Sequence, residues 1–76
     1  MPYTIFAKNL EQHMRAKGMT QQSLADAIGV VTQGSIGKYL KDTIPRADIA
    51  VAIADYFGDD VKSMITVDRT SQAVSA

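Results

Sequence analysis

Residues that can form hydrogen bonds or carry charge lie on one side of a short segment in the middle of the chain. At about 100° per residue along a helix, positions 33–41 divide into two faces. Ile36, Tyr39 and Leu40 form an apolar face. The other face, called the polar face below, holds an amide, two glycines and two cations: Gln33, Gly34, Gly37, Lys38 and Lys41. Glycine within a helix costs about 1 kcal/mol relative to alanine. We therefore expect the glycines to serve close approach to a large flat surface, with the longer side chains reaching past them.

Two short helices joined by a tight turn are predicted to position the polar face. Thr20 suits the N-cap of a helix from Gln21 to about Ile28, because its hydroxyl can accept an orphan backbone N–H. Gly29 follows, where helices often end in the left-handed conformation. Thr32 suits the N-cap of a second helix, whose body runs from Gln33 to about Lys41.

Several motifs lie on these two helices and after them. They are Thr20-Gln21-Gln22-Ser23-Leu24-Ala25, Gly29-Val30 and Gln33-Gly34-Ser35-Ile36-Gly37, then Pro45-Arg46-Ala47-Asp48, Ile53-Ala54 and Phe57-Gly58. In these residues the chain resembles the phage repressor and Cro family of bacterial helix-turn-helix DNA-binding proteins, and the resemblance covers roughly residues 5 to 65. It implies an all-α, lambda-repressor-like domain. In such a domain Gln33 would lie near the start of a recognition helix in the major groove, and Gln21 near a phosphate.

The turn departs from the family pattern. Val30-Val31-Thr32 fills a space in which two residues are more typical. The additional residue leaves two alternatives for the start of the recognition helix, Thr32 and Gln33.

Nine residues are predicted to bind DNA. Gln33 is suited to read adenine or a phosphate through its amide, and the two lysines of the polar face to neutralise phosphates or read guanine. Gln21 adds an amide to the backbone donors at a helix N-terminus. Ser35, on the flank of its helix, is suited to contact a phosphate or to bond to the backbone. The full set is Gln21, Thr32, Gln33, Gly34, Ser35, Gly37, Lys38, Lys41 and Thr43.

The spacing of apolar residues and the residues typical of helix ends predict three further helices. Thr4 caps a helix from Ile5, with Phe6, Leu10 and Met14 on its apolar line and Gly18 at its end. Another helix runs from Arg46 or Ala47 to Phe57, and the last, capped by Asp59 or Asp60, carries Val61, Met64 and Ile65. The prediction is one helix-turn-helix domain of five short helices at residues 1–65, followed by a flexible tail at residues 66–76.

The charge of the chain is balanced but unevenly distributed. Eight basic and eight acidic residues give a net charge of zero, which argues against nucleic acid as a partner. Residues 1–47 hold six cations and three anions, a balance of +3, whereas residues 48–76 hold two cations and five anions, a balance of −3. One end of the molecule can therefore face phosphates while the other faces water.

Composition excludes several classes of site. The chain has no cysteine and one histidine, so neither a thiolate nor a metal site is expected. No apolar run approaches the roughly 18 residues of a membrane helix, and no signal peptide is recognised, so a cytoplasmic location is expected. Ser23, Ser35, Asp26 and His13 lack the spacing of a hydrolytic triad. We expect no enzymatic activity, no cofactor and no small-molecule substrate. The run 34–37 also matches the G-x-x-G loop of KH domains, but the strands of a KH domain are missing from the sequence pattern.

The predicted function is that of a sequence-specific transcriptional regulator. A homodimer would bind a near-palindromic operator in double-stranded DNA through the recognition helix at about 33–41. Val51, Tyr56 and residues near 61–67 are expected to supply the dimer contact. The alternative is an antitoxin-like or adaptor domain whose main partner is a protein and whose apolar fourth helix is the docking face, which the neutral charge favours.

Overall fold

Five α-helices make up residues 3–67, the part of the chain that the computed structural model describes. They are α1 (Ile5–Lys17), α2 (Gln21–Ile28), α3 (Gln33–Tyr39), α4 (Ala47–Phe57) and α5 (Val61–Thr66). No strand occurs among these residues. The predicted all-α, five-helix architecture is confirmed.

Side-chain caps set the starts of four helices. In each, the side-chain oxygen of the capping residue accepts the backbone N–H of the residue three positions later, which satisfies an otherwise unpaired donor. The capping residues are Thr4, Thr20, Thr32 and Asp60. These local signals explain why the predicted starts of α1, α2 and α5 agree with the structure.

The start of α4 is organised differently. Arg46 occupies the N-cap position without a side-chain hydrogen bond to the helix. Its Nε atom instead donates to Asp48 Oδ1 at 2.9 Å, and the same oxygen accepts the backbone N–H of Ile49. Desolvation raises the pKa of the Asp48 carboxyl, but the hydrogen bonds from Arg46 and Ile49 outweigh it and lower the pKa below its ordinary value.

The core lies at the centre, where all five helices contribute buried side chains. α1 packs against α3 and α5, α2 packs against α3 and α4, and α4 packs against α5. The largest fully buried apolar side chains are Phe6, Leu10, Leu24, Ile36, Ile53 and Met64. Ile36 is the fully buried residue of α3, so this helix is held to the core by one face.

A buried asparagine connects α1 to the end of α5. Asn9 is 1% exposed, and its Nδ2 atom donates to the backbone carbonyls of Met64 at 3.0 Å and Val67 at 2.8 Å. α5 includes Thr66, so this residue and Val67 are part of the folded domain rather than of the predicted tail at residues 66–76. The remainder of that tail, residues 68–76, lies outside the described residues.

None of the helices in residues 3–67 is long and apolar enough to cross a membrane.

Candidate nucleic-acid interface

α3 begins at Gln33, which settles the alternative that the longer turn left open. The side chain of Thr32 accepts the backbone N–H of Ser35 at 3.2 Å, and the two hydroxyl oxygens are 3.2 Å apart. Thr32 therefore caps the helix from outside it. The hydroxyls of both residues, each predicted to bind DNA, thus also stabilise the start of α3.

The turn before α3 consists of residues 29–32. Gly29 has a φ of +84° and donates its N–H to the carbonyl of Ala25, so it ends α2 in a conformation that residues with side chains rarely adopt. Val31 packs against the core, whereas Val30 is 68% exposed. The turn thus buries one valine and leaves the other in solvent beside the start of α3.

α3 ends at Tyr39, two residues before the predicted end at about Lys41. Leu40 caps the helix, and the backbone N–H groups of Lys41 and Thr43 both bond to the carbonyl of Lys38. These bonds turn the chain out of the helical path. Lys41 and Thr43 therefore lie on the loop that follows α3, not on the face of the helix.

The predicted division of α3 into two faces is present in the structure. Ile36 is buried, and Tyr39 and Leu40 pack against the core. Gln33, Gly34 and Lys38 are exposed. Because α3 contains no acidic residue, its exposed side presents an amide and a cation without a neighbouring carboxylate of its own.

The two glycines of α3 have different surroundings. A Cβ atom at Gly34 would meet only the Thr32 hydroxyl, at 3.9 Å, which is ordinary contact. A Cβ atom at Gly37 would lie 3.2 Å from the Oε1 atom of Gln21. Gly37 is partly buried and lies beside the Gln21 side chain of α2, a contact that the sequence pattern alone did not indicate.

Gln21, Gly37 and Lys41 are among the residues that line an open cavity of about 370 Å³. Tyr3 and Lys8, near the start of the chain, also line it. The backbone N–H of Thr4 donates to the carbonyl of Lys41 at 3.0 Å and fixes the two segments together. Tertiary folding brings Tyr3 and Lys8 to the predicted site, and no spacing in the sequence signals it.

The structure does not gather all nine predicted residues into one cluster. Gln33, Gly34 and Lys38 share the exposed side of α3, and Gln21, Gly37 and Lys41 meet at the cavity. The Thr43 hydroxyl lies 3.3 Å from Asp42 Oδ1 on the exposed loop after α3. The candidate site is therefore a surface built from the start of α2, the exposed side of α3 and the loop that follows α3.

His13 lies away from this surface and connects α1 to the α4–α5 junction. Its Nε2 atom is 2.7 Å from Asp59 Oδ2, and its ring stacks on Phe57 with centroids 4.8 Å apart. The side chain of His13 is 28% exposed and that of Asp59 is 11% exposed. The pair is a tertiary contact between α1 and the α4–α5 junction, which the sequence pattern did not indicate.

The family of this chain can be established by comparison. Residues 10–59 match the helix-turn-helix family HTH_3, which is more than half of the 76 residues. Comparisons with curated proteins and with solved structures gave no significant match. The matched range contains the whole of α2, the turn and α3, so the predicted resemblance is confirmed. The chain therefore belongs to the HTH_3 family of helix-turn-helix DNA-binding domains, of the XRE and Cro/repressor type.

Proposed function

We propose that this protein is a transcriptional regulator that binds a near-palindromic operator in double-stranded DNA as a homodimer. The observation that carries the proposal is the exposed side of α3. Gln33, Gly34 and Lys38 face solvent on a helix that Ile36 holds to the core, in a family of DNA-binding domains. A rigid helix with polar and glycine residues on its free side has the form required to enter a major groove.

Each residue of the surface has a role in this proposal. The amide of Gln33 reads a base edge, for which adenine offers a matching donor and acceptor. Gly34 lets the helix approach the DNA. Lys38 reads guanine or neutralises a phosphate. Lys41 and Thr43 contact the backbone from the loop after α3. Thr32 and Ser35, whose hydroxyls lie at the start of α3, add phosphate contacts there.

A second copy of the chain would supply the second recognition helix. Val51 and Tyr56 of α4 are each 43% exposed, whereas the other large apolar side chains of this helix, Ile49, Ile53 and Phe57, are buried or partly buried. Together with the partly exposed apolar residues of α5, they form the proposed dimer contact. Two recognition helices about one DNA turn apart, ~34 Å, would cover an operator and block polymerase.

Selection from a random pool of DNA duplexes tests this function. The purified protein is expected to enrich a sequence with two related half-sites in opposite orientation. Footprinting of the enriched duplex should show protection in two patches about one helical turn apart. Enrichment of no sequence over successive rounds would contradict sequence-specific binding, and enrichment of a single half-site would contradict the dimer.

A second candidate function rests on the same exposed residues of α4. If Val51 and Tyr56 dock another protein, the domain is an antitoxin-like or adaptor module, and its net charge of zero is consistent with a protein partner. The oligomeric state separates the two functions. A monomer at all concentrations, together with no selected DNA sequence, would favour the protein partner.

A further inference from the structure

Gly37 and Gln21 lie against each other where α3 passes the start of α2. A Cβ atom added to Gly37 would approach the Gln21 side chain to 3.2 Å at Oε1 and 3.9 Å at Cδ. The shorter distance is tighter than ordinary van der Waals contact between such atoms. The carboxamide of Gln21 therefore occupies the space that a side chain at position 37 would require.

The carboxamide of Gln21 remains available to a ligand. Gln21 is exposed, and its side chain makes no hydrogen bond with any residue of the described segment 3–67. Its neighbour Gln22 differs, because its Nε2 atom donates to Asp26 Oδ1 at 2.9 Å. Two consecutive glutamines at the start of α2 thus have different roles: one is bonded within its helix, and the other rests on α3 with free donors.

The surroundings of the Gln21 carboxamide favour an anion. Gln21 and Gly37 line the open cavity of about 370 Å³ together with Lys8 and Lys41. Glu11 also lines the cavity, but its carboxylate lies 3.4 Å from a guanidinium nitrogen of Arg15. The Lys41 ammonium group and the Gln21 amide donor at one opening suit a phosphate group of a nucleic-acid backbone.

We propose that Gly37 is a positioning residue for DNA binding. The absence of a Cβ at Gly37 leaves room for the Gln21 carboxamide beside α3, where the amide donates a hydrogen bond to a backbone phosphate beside Lys41. This inference rests on the proposed function, because the phosphate belongs to the bound DNA. A side chain that already lies in the position of its bound state needs less rearrangement on binding.

A double-mutant cycle tests the coupling of the two residues. The variants are Gly37→Ala, Gln21→Ala and the double variant, titrated by fluorescence anisotropy against a labelled duplex selected by the wild-type protein. Each single change is expected to weaken binding about tenfold, the effect of one hydrogen bond to a charged group. The double variant is expected to bind no more weakly than either single variant, because both changes remove the same contact.

Two matched controls accompany the cycle. Gln22→Ala removes the adjacent amide. In a variant that carries both Gln22→Ala and Gly37→Ala, the fold-losses of affinity of the two single variants are expected to multiply. The salt dependence of binding is expected to stay unchanged in all of these variants, because none removes a cation. Urea unfolding should show Gly37→Ala at least as stable as the wild type, since alanine favours the helix and the exposed Gln21 side chain can move aside.

Two results would overturn the inference while leaving the proposed function intact. The first is a loss of affinity on Gly37→Ala that is as large in the Gln21→Ala background as in the wild type, which would mean that Gly37 itself approaches the DNA. The second is unchanged affinity in Gly37→Ala. Absence of any binding by the wild-type protein would overturn both the inference and the proposed function.

Discussion

At the scale of single residues, Asn9 shows how one buried polar side chain holds two helices together. Its amide donates to the carbonyls of Met64 and Val67, at the end of α5. The substitution Asn9→Asp keeps the shape of the side chain, but a carboxylate has no donor and places a negative charge against two carbonyl oxygens. We expect a loss of about 3 kcal/mol or more in the free energy of unfolding at pH 7, because breaking a buried polar contact leaves an uncompensated charge.

The pH dependence of this loss has a defined sign. Burial and the adjacent carbonyls raise the pKa of the introduced carboxyl in the folded state, so the loss is full above that pKa and decreases as the pH falls through it. Urea unfolding at pH 7 and at pH 4 measures the difference. Gln12→Glu, the same chemical change at an exposed position of α1, is the control and should have little effect. Equal stability of the two variants at pH 7 would refute the account of Asn9.

At the scale of elements, the start of α3 depends on the Thr32 cap. Removing the hydroxyl in Thr32→Ala is expected to lower the free energy of unfolding by about 1 kcal/mol, because the N–H of Ser35 loses its acceptor. For a domain of this size that corresponds to about 4–8 °C in Tm. Thr43→Ala, which removes an exposed loop hydroxyl, should change Tm by much less. If both variants melt at the same temperature as the wild type, the cap does not stabilise α3.

At Gly34, a substitution is expected to change the stability of the domain and its affinity for DNA in opposite directions. A Cβ atom at this position meets only open space and the Thr32 hydroxyl, so Gly34→Ala is expected to stabilise the domain by about 1 kcal/mol. The same methyl group would stand between α3 and the DNA, and we expect weaker binding. Chemical unfolding and anisotropy on one preparation measure both effects. An increase in stability with full DNA affinity would show that close approach does not require the glycine.

Local patterns predicted the elements better than the contacts between them. The helix starts at Ile5, Gln21 and Val61 follow from a cap and an apolar stripe, which involve residues a few positions apart. The predicted end of α3 was two residues too late, because the bonds from Lys41 and Thr43 to the carbonyl of Lys38 end the helix where no glycine or proline marks the position. The other contacts that the sequence did not indicate join distant parts of the chain: Asn9 with Met64, His13 with Asp59, and Gln21 with Gly37.

At the scale of the whole molecule, the exposed apolar side chains of α4 are the basis of the proposed dimer. Val51→Glu combined with Tyr56→Glu would place two charges in the contact, and we expect the dissociation constant of the dimer to rise by at least tenfold. Sedimentation equilibrium over a range of concentrations measures it. Val30→Glu is the matched control, because it changes an exposed valine outside α4. A wild-type protein that is monomeric at the highest concentration, or a control that dissociates equally, would contradict this dimer.

The uneven distribution of charge bears on how such a neutral molecule binds DNA. The cations of the proposed surface, Lys38 and Lys41, come from the part of the chain with a balance of +3, and most of the anions belong to α4 and the segment after it. Only the local cations release counterions on binding, so the salt dependence reports the surface and not the net charge. Binding of DNA through α3 is therefore best tested by measuring the affinity and its salt dependence together.

The most direct measurement is a fluorescence-anisotropy titration of labelled DNA at two salt concentrations. It compares the wild type with Gln33→Ala combined with Lys38→Ala, and with Gln12→Ala combined with Lys62→Ala, which removes one amide and one cation elsewhere on the surface. The account predicts that the wild type and the control bind with an affinity that falls steeply with salt. The Gln33 and Lys38 variant should stay folded and lose binding. Equal binding by all three proteins, or no binding by the wild type even at low salt, would contradict α3 as the DNA-reading element.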